Sequence, residues 1–247
     1  MAKFEHDDIK PFQESNLEKK DQVAEMFDNI AFRYDFLNRF LSMGIDVGWR
    51  KNAINRLQTL QPQNILDVAT GTADMALMMY KMLHPAHITG IDISEKMLQI
   101  GKEKIAKANL NDKIVLQKGD SENLLFDSNC FDAVTVAFGV RNFQNLEKGI
   151  AEMHRVLRTG GKLIVLEFSR PKSKALKWAH KLYLKTVLPN AGKAFSGSKE
   201  AYQYLNDSAL KFPERNDFIK VLNNAGFKNT LYKPQTLGVC CVYEGVK

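Results

Sequence analysis

Three aspartates, Asp67, Asp92 and Asp120, stand out in this 247-residue chain as residues whose type and spacing could do chemistry. Asp67 follows Ile65-Leu66 and precedes a loop of small residues, Ala69-Thr70-Gly71-Thr72-Ala73. A buried strand that empties into such a turn at a helix N-terminus lets a ligand approach the backbone and points free N–H groups at it. Asp92 ends the second apolar run, HITGID, 25 positions later. An acidic residue about 20 positions beyond a glycine loop is the ribose-binding device of nucleotide folds. Asp120 ends a third segment, QKGD, where a carboxylate can accept from an adenine amine while the N–H of Ser121 meets a ring nitrogen. Singly, each aspartate also reads as a helix cap or an exposed loop charge. Three at successive strand ends favour a nucleoside site.

Charge separates two candidate cofactors. A dinucleotide loop wants G-x-G-x-x-G, and this loop has Gly71 alone. It carries instead Asp67, Ala69, Gly71 and Ala73 in alternation, the pattern of proteins that bind S-adenosylmethionine, with alanine replacing glycine twice. A carboxylate here would repel a pyrophosphate and attract an ammonium or a sulfonium.

These residues need strands to carry them. Apolar runs predict strands at Asn64–Val68, His87–Ile91, Lys113–Gln117, Phe131–Ala137 and Lys162–Phe168. Between them lie predicted helices over about 73–83, Glu95–Ala108 with Ser94 as N-cap, and about 145–157. Arg158-Thr159-Gly160-Gly161 reads as a turn. This alternation implies a parallel sheet covered on both faces. GFKNTLYK and LGVCCVYEG read as a closing pair of strands. Residues 1 to about 15 read as a loose polar tail. Helical spacing runs from Leu17 through Ile30 and again from Trp49 to Leu60, with the aromatic stretch Tyr34–Trp49 between.

A chain 45% hydrophobic and 26% charged reads as globular. No apolar run reaches the roughly 18 residues a membrane span needs, and the charged amino terminus does not read as a secretory signal. Cys130, Cys240 and Cys241 read as reduced thiols in a cytoplasmic protein. His84 and His87 flank Pro85 without cysteine or acidic company, so no metal site is expected. The net charge of +7 is local. Eight basic and no acidic residues fall between Arg170 and Lys199, and the rest of the chain is balanced at 27 basic against 28 acidic.

The segment RVLRTGGKLIVLEFS, Arg155 to Ser169, and the aromatic stretch from Tyr34 to Trp49 closely resemble the quinone-biosynthesis C-methyltransferases. The FGVRN segment, Phe138 to Asn142, matches as well, and the likeness spans nearly the whole chain. Leu37, Asp46, Ala137 and Arg158-Thr159 depart from the family's usual residues. The resemblance implies a class I S-adenosylmethionine-dependent methyltransferase fold, α/β and Rossmann-like, with a mostly parallel seven-stranded sheet. It implies a helical cap over residues 1–60 and a methyltransferase domain over 61–247, with a basic helical insert at about 170–210. Thr72, Asp92, Asp120 and Ser121 would then bind the cofactor, beside Asp67 and Gly71. The implied reaction methylates a ring carbon of a polyprenyl quinol, with demethylmenaquinol favoured over the benzoquinol precursor of ubiquinone.

Such chemistry needs aligned reactants and proton handling. The candidates are Tyr34, Asp35, Arg141 and Asn142. Tyr34 reads equally as an aromatic packing residue. Arg141 reads either as a phenolate stabiliser or as a salt bridge bracing the loop. His154 reads as structural, and Asp46 as part of a lid or as a helix N-cap. Helical spacing from Leu176 to Val187, ringed by lysines, suits peripheral contact with an anionic membrane through 170–199. It equally suits a helix that covers the site with a solvated lysine face. The basic window also fits phosphate binding, but AFGVRN lacks the Pro-Pro-aromatic segment of base-amino methylation and Cys130 lies at the wrong end of its strand. Nucleic acid is therefore not expected as a partner. A homo-oligomer is compatible with the sequence.

Overall fold

A computed structural model describes residues 4–171 and 199–247, and the suggested interfacial stretch Leu176–Val187 lies outside them. The strands are β1 (Asn64–Val68), β2 (His87–Asp92), β3 (Ile114–Lys118), β4 (Phe131–Ala137), β5 (Leu157–Phe168), β6 (Lys228–Gln235) and β7 (Cys240–Val246). They form one sheet in the order β3-β2-β1-β4-β5-β7-β6. The first five run parallel, and β7 enters antiparallel to both β5 and β6. The sheet is thus mixed. The order reverses between β1 and β4, the switch point where open α/β sheets bind ligands.

Alternation along the strands sorts the core onto two faces. Leu66, Val68, Val134, Val136, Leu163 and Val165 point one way. They pack against α5 (Leu146–Val156) and α7 (Asn216–Asn224). Ile65, Ala133, Ile164 and Leu166 point the other way, toward α2 (Ile45–Asn55), α3 (Asp74–Leu83) and α4 (Glu95–Lys107). Ser94 caps α4, its hydroxyl accepting from the Met97 N–H, worth about 1 kcal/mol.

Three expectations change. The run 158–161 is no separate turn: β5 begins at Leu157 and passes through a bulge, with Gly160 at φ +79°. The aromatic stretch does not separate two helices, because α1 runs unbroken over Lys19–Leu41. Val23, Met26, Phe27, Ile30, Tyr34 and Leu37 keep the i, i+3, i+4 spacing that holds one helical face inward. The amino-terminal tail is anchored. His6 is fully buried, its ring against Phe4 and Phe212, and its carbonyl accepts from the buried Lys19 ammonium at 2.7 Å. Burial holds the His6 imidazole neutral, with a pKa of about 3.

Candidate active site

The loop after β1 explains its own composition. Ala69, Gly71 and Ala73 all take left-handed backbone, at φ 52°, 57° and 65°. Each alternate residue must therefore be glycine or small, and the two alanines carry strain of roughly 1–2 kcal/mol each. The N–H groups are not free as expected. Thr70 N donates to Ile91 O, Gly71 N to Asp92 Oδ2 and Ala73 N to Thr70 O, at 2.8–3.0 Å. A pyrophosphate would find those donors spent.

Asp67 is almost wholly buried. It sits directly opposite Thr135 across the β1–β4 ladder. The Thr135 hydroxyl donates to one carboxylate oxygen at 2.6 Å and the Thr70 hydroxyl to the other at 2.7 Å. Burial pushes the pKa up to about 6, against the pull of these hydroxyls and of Arg50. Asp92 accepts from Gly71 N and Ser94 N at 2.8 and 2.9 Å. Burial raises its pKa too. Both acids are held by neutral donors, so their charge is not cancelled.

These groups line two adjoining cavities. The larger encloses about 680 Å3, its open mouth included. Asp92, Asp120 and Ser121 lie on its wall with Gly71, Tyr34 and Asn142. The smaller encloses about 330 Å3 and brings Asp67, Thr72 and Asp35 together with Arg50. Tyr34 and Gly71 line both. Arg50 is buried, its guanidinium 5.3 Å above the Phe138 ring centre.

Helix α1 forms one wall and is tied down by ion pairs. Lys104 on α4 reaches Asp35 Oδ2 at 2.5 Å and Asp74 Oδ1 at 2.7 Å. Thr72 donates to Asp35 and accepts from Lys104. The Thr72 hydroxyl thus fastens the loop to α1. Arg39 bridges Asp46 and Asp74 at 2.7 and 3.0 Å. Asp46 is not the N-cap of α2, which is Gly44; it accepts from Ser42 in the first turn.

Tyr34 hydrogen-bonds Asn38, and burial raises its pKa, so it stays a protonated donor. Asn142 sits in a short 3-10 turn after β4 with its Oδ1 buried and unpartnered. Arg141 lies behind the cavity wall. It is buried and pairs with the fully buried Glu167 at 2.8 Å, with its guanidinium 5.4 Å over the Phe168 ring. Of the two readings of Arg141, this geometry is the brace. His154 packs edge-on against Phe227 at 4.9 Å, remote from the crevice wall.

The sequence reading missed Arg50, Lys104, Thr135 and Glu167. A charged residue in the otherwise apolar run LIVLEF, Leu163 to Phe168, was a signal for Glu167; the other three carried none.

The ubiE/COQ5 methyltransferase family model matches residues 15–247. The chain belongs to this family. It is therefore a methyltransferase, and the group it uses is S-adenosylmethionine. The Demethylmenaquinone methyltransferase of Bacteroides fragilis is 43% identical over 244 residues, 99% of each chain. A Geotalea daltonii protein named Ubiquinone/menaquinone biosynthesis C-methyltransferase UbiE is 43% identical over 93% of this chain and 98% of its own. Among solved structures, the magnesium protoporphyrin IX methyltransferase of Synechocystis, with bound SAH, gives a TM-score of 0.63 at 19% identity. It covers 91% of this chain and 98% of that one, a likeness of fold.

The residues present fit that cofactor. Its amino acid end is a zwitterion, and the smaller cavity offers a buried carboxylate and a buried guanidinium side by side. Asp92 and Asp120 both stand on the wall of the larger cavity, as acceptors that hydroxyl and amine donors of the cofactor can meet.

Proposed function

We propose that this protein methylates a ring carbon of a polyprenyl quinol, with demethylmenaquinol as substrate. The observation that carries the reading is the crevice at the switch point, floored by uncancelled carboxylates and flanked by the Asp67–Arg50 annex. The 43% identity to the Bacteroides fragilis protein, spread over 99% of both chains, favours the menaquinone series. The Geotalea name keeps a benzoquinol as the second reading.

Bound S-adenosylmethionine supplies an electrophilic methyl group. Asp67 and Arg50 would hold its charged amino acid end, Asp92 its ribose, and Asp120 with Ser121 its adenine. A quinone ring is itself electrophilic, so the acceptor must be the reduced quinol. Tyr34, at the junction of the two cavities and kept protonated, donates to a quinol oxygen. The chain's further work is alignment and exclusion of water, which can supply up to roughly 7–11 kcal/mol in favourable cases. Purified protein given the cofactor and a short-chain demethylmenaquinol under reducing conditions yields the ring-methylated product by mass spectrometry. The benzoquinol analogue, run in parallel, decides between the two series.

A polyprenyl substrate resides in a bilayer, and we infer that the protein works in the cytoplasm at the membrane surface. No helix among the described residues is long and apolar enough to cross a membrane. The outer face of α1 exposes Phe32, Phe36 and Phe40, and Met43 is exposed just beyond its end, which suits interfacial contact; the sequence adds the basic window at 170–199. Co-sedimentation with anionic liposomes, weakened by salt, is the expected result.

A further inference from the structure

The β6–β7 hairpin turns through Thr236, Leu237 and Gly238, all in left-handed backbone at φ 41°, 57° and 93°. Only the glycine takes that conformation freely. Leu237 is nevertheless 72% exposed, with no packing that holds it there. Met43 repeats the pattern. It stands just past the C-cap of α1 at φ 51° and is 71% exposed, where helices favour glycine or asparagine. At both places the chain keeps a strained backbone and a bare apolar side chain, although asparagine would relieve both.

The two positions border one edge of the molecule. The Trp49 indole N–H donates to the Thr236 hydroxyl at 2.7 Å, and the Asn52 amide to the Gln235 side chain at 2.8 Å. Ile45, also exposed, lies one turn before Trp49 on α2, and Met43 comes two residues earlier. Phe40, exposed in the last turn of α1, extends the rim. Trp49 packs on Phe138, just past β4, and on Phe168, the last residue of β5. The rim therefore borders the carboxyl edge of the sheet, and Phe138 lines the crevice there.

Charge says what meets this rim. Ser169 donates to Gly238 O at 2.7 Å, and Pro171 lies against Gly238. The chain thus enters its basic stretch beside Leu237. That stretch, from Arg170 to Lys199 at the start of α6 (Lys199–Lys211), holds eight basic and no acidic residues. Bare apolar tips next to concentrated positive charge suit an anionic lipid surface, which takes up apolar side chains and attracts lysines to its headgroups. A second copy of this chain would bring two basic stretches together, and like charges repel.

We propose that the rim of Phe40, Met43, Ile45 and Leu237 docks on an anionic phospholipid bilayer, with Met43 and Leu237 entering its apolar layer. This rests on the membrane reading above and gives it a place and an orientation. The carboxyl edge of the sheet, and the crevice with it, turns toward the bilayer that holds a polyprenyl quinol.

The test uses the intact protein with Met43→Asn and with Leu237→Asn. Asparagine tolerates left-handed backbone, so each variant melts at the wild-type temperature or above it. The probe is vesicles of phosphatidylcholine and phosphatidylglycerol in equal parts, against pure phosphatidylcholine and against added salt. The wild type binds the mixed vesicles and salt releases it. Each variant binds them about tenfold less tightly, the change expected when one large apolar side chain no longer leaves water. Leu125→Asn, an exposed leucine flanked by the Arg155 contacts at the end of α5, binds as the wild type does. Turnover of a water-soluble short-chain demethylmenaquinol is unchanged in all three variants. Wild-type affinity in both rim variants overturns the inference alone, and so does an equal loss in Leu125→Asn. A wild-type dimer that the rim substitutions split also overturns it, because the rim then covers a second copy. A wild type that ignores anionic vesicles overturns the membrane reading and this inference together. Inactivity toward the short-chain quinol overturns the quinol reading only, because vesicle binding is read without substrate.

Discussion

The floor of the crevice and its α1 wall are both rich in carboxylates, yet they hold them in opposite ways. On the floor, Asp67 and Asp92 are clasped by hydroxyls and backbone N–H groups. Neutral donors fix the geometry and leave a net negative field for a cationic ligand. On the wall, the three carboxylates of Asp35, Asp46 and Asp74 share two cations, Lys104 and Arg39, and most of the charge is cancelled in ion pairs. These pairs are partly exposed, and such contacts are worth only about 0.2–1 kcal/mol. The floor is built to attract, the wall to fasten and release.

That contrast breaks most readily at its deepest charge. Arg141→Met leaves Glu167 buried without its counter-charge. The expected loss is about 3–5 kcal/mol in chemical denaturation, with turnover falling as the 140–142 turn loosens. A stability equal to wild type would remove the pair from the brace described here.

Asp67 offers the next largest effect. Its pKa rises from 3.8 to about 6 on folding, so the folded state disfavours its charge. The cost is absent below about pH 4 and complete above about pH 6. Folding stability should therefore fall by about 3 kcal/mol on that account as the pH climbs between those limits. Asp67→Asn removes this slope from the denaturation profile. Cofactor affinity runs the other way, tightening as the pH rises through about 6 in the wild type and not in the variant. Calorimetric titration at pH 5 and 7 reads both.

Packing under the loop comes third. A Cβ on Gly139 would lie 2.6 Å from the Ala69 Cβ and 3.0 Å from Val136, an overpacking of about 1–3 kcal/mol. Gly139→Ala should weaken cofactor binding and lower the melting temperature. Adding Ala69→Gly should restore part of both, because it removes the nearer contact. The smallest effect belongs to the wall. Asp35→Asn should shift stability by about 0.2–1 kcal/mol and speed cofactor release a few-fold, and the difference should vanish in 1 M salt. Persistence at high salt would show that the α1 contact is not ionic.

The floor was legible in the sequence because its acids stand where apolar runs end. Phe131–Ala137 is uniformly apolar but for Asp132 and Thr135, and β4 has those bounds. The partners were not legible. Thr135 acquires meaning only when β4 lies beside β1, 68 residues apart in the chain. The wall was misread at 31–41 because aromatic residues at Phe32, Phe36 and Phe40 face outward, blurring the amphipathic contrast that marks a helix. His6 was unreadable for a related reason: nothing local tells that a polar segment will be seated under Phe212.

Cys240 and Cys241 are sealed inside the sheet, whereas Cys130 is partly open. It lies at the end of β4 opposite the Asn142 turn. Its thiol donates to Asp127 O, and burial raises its pKa, so alkylation should proceed slowly and at one position. A fluorophore attached there would sit at the edge of the sheet opposite the crevice, and would report encounters with vesicles without entering it.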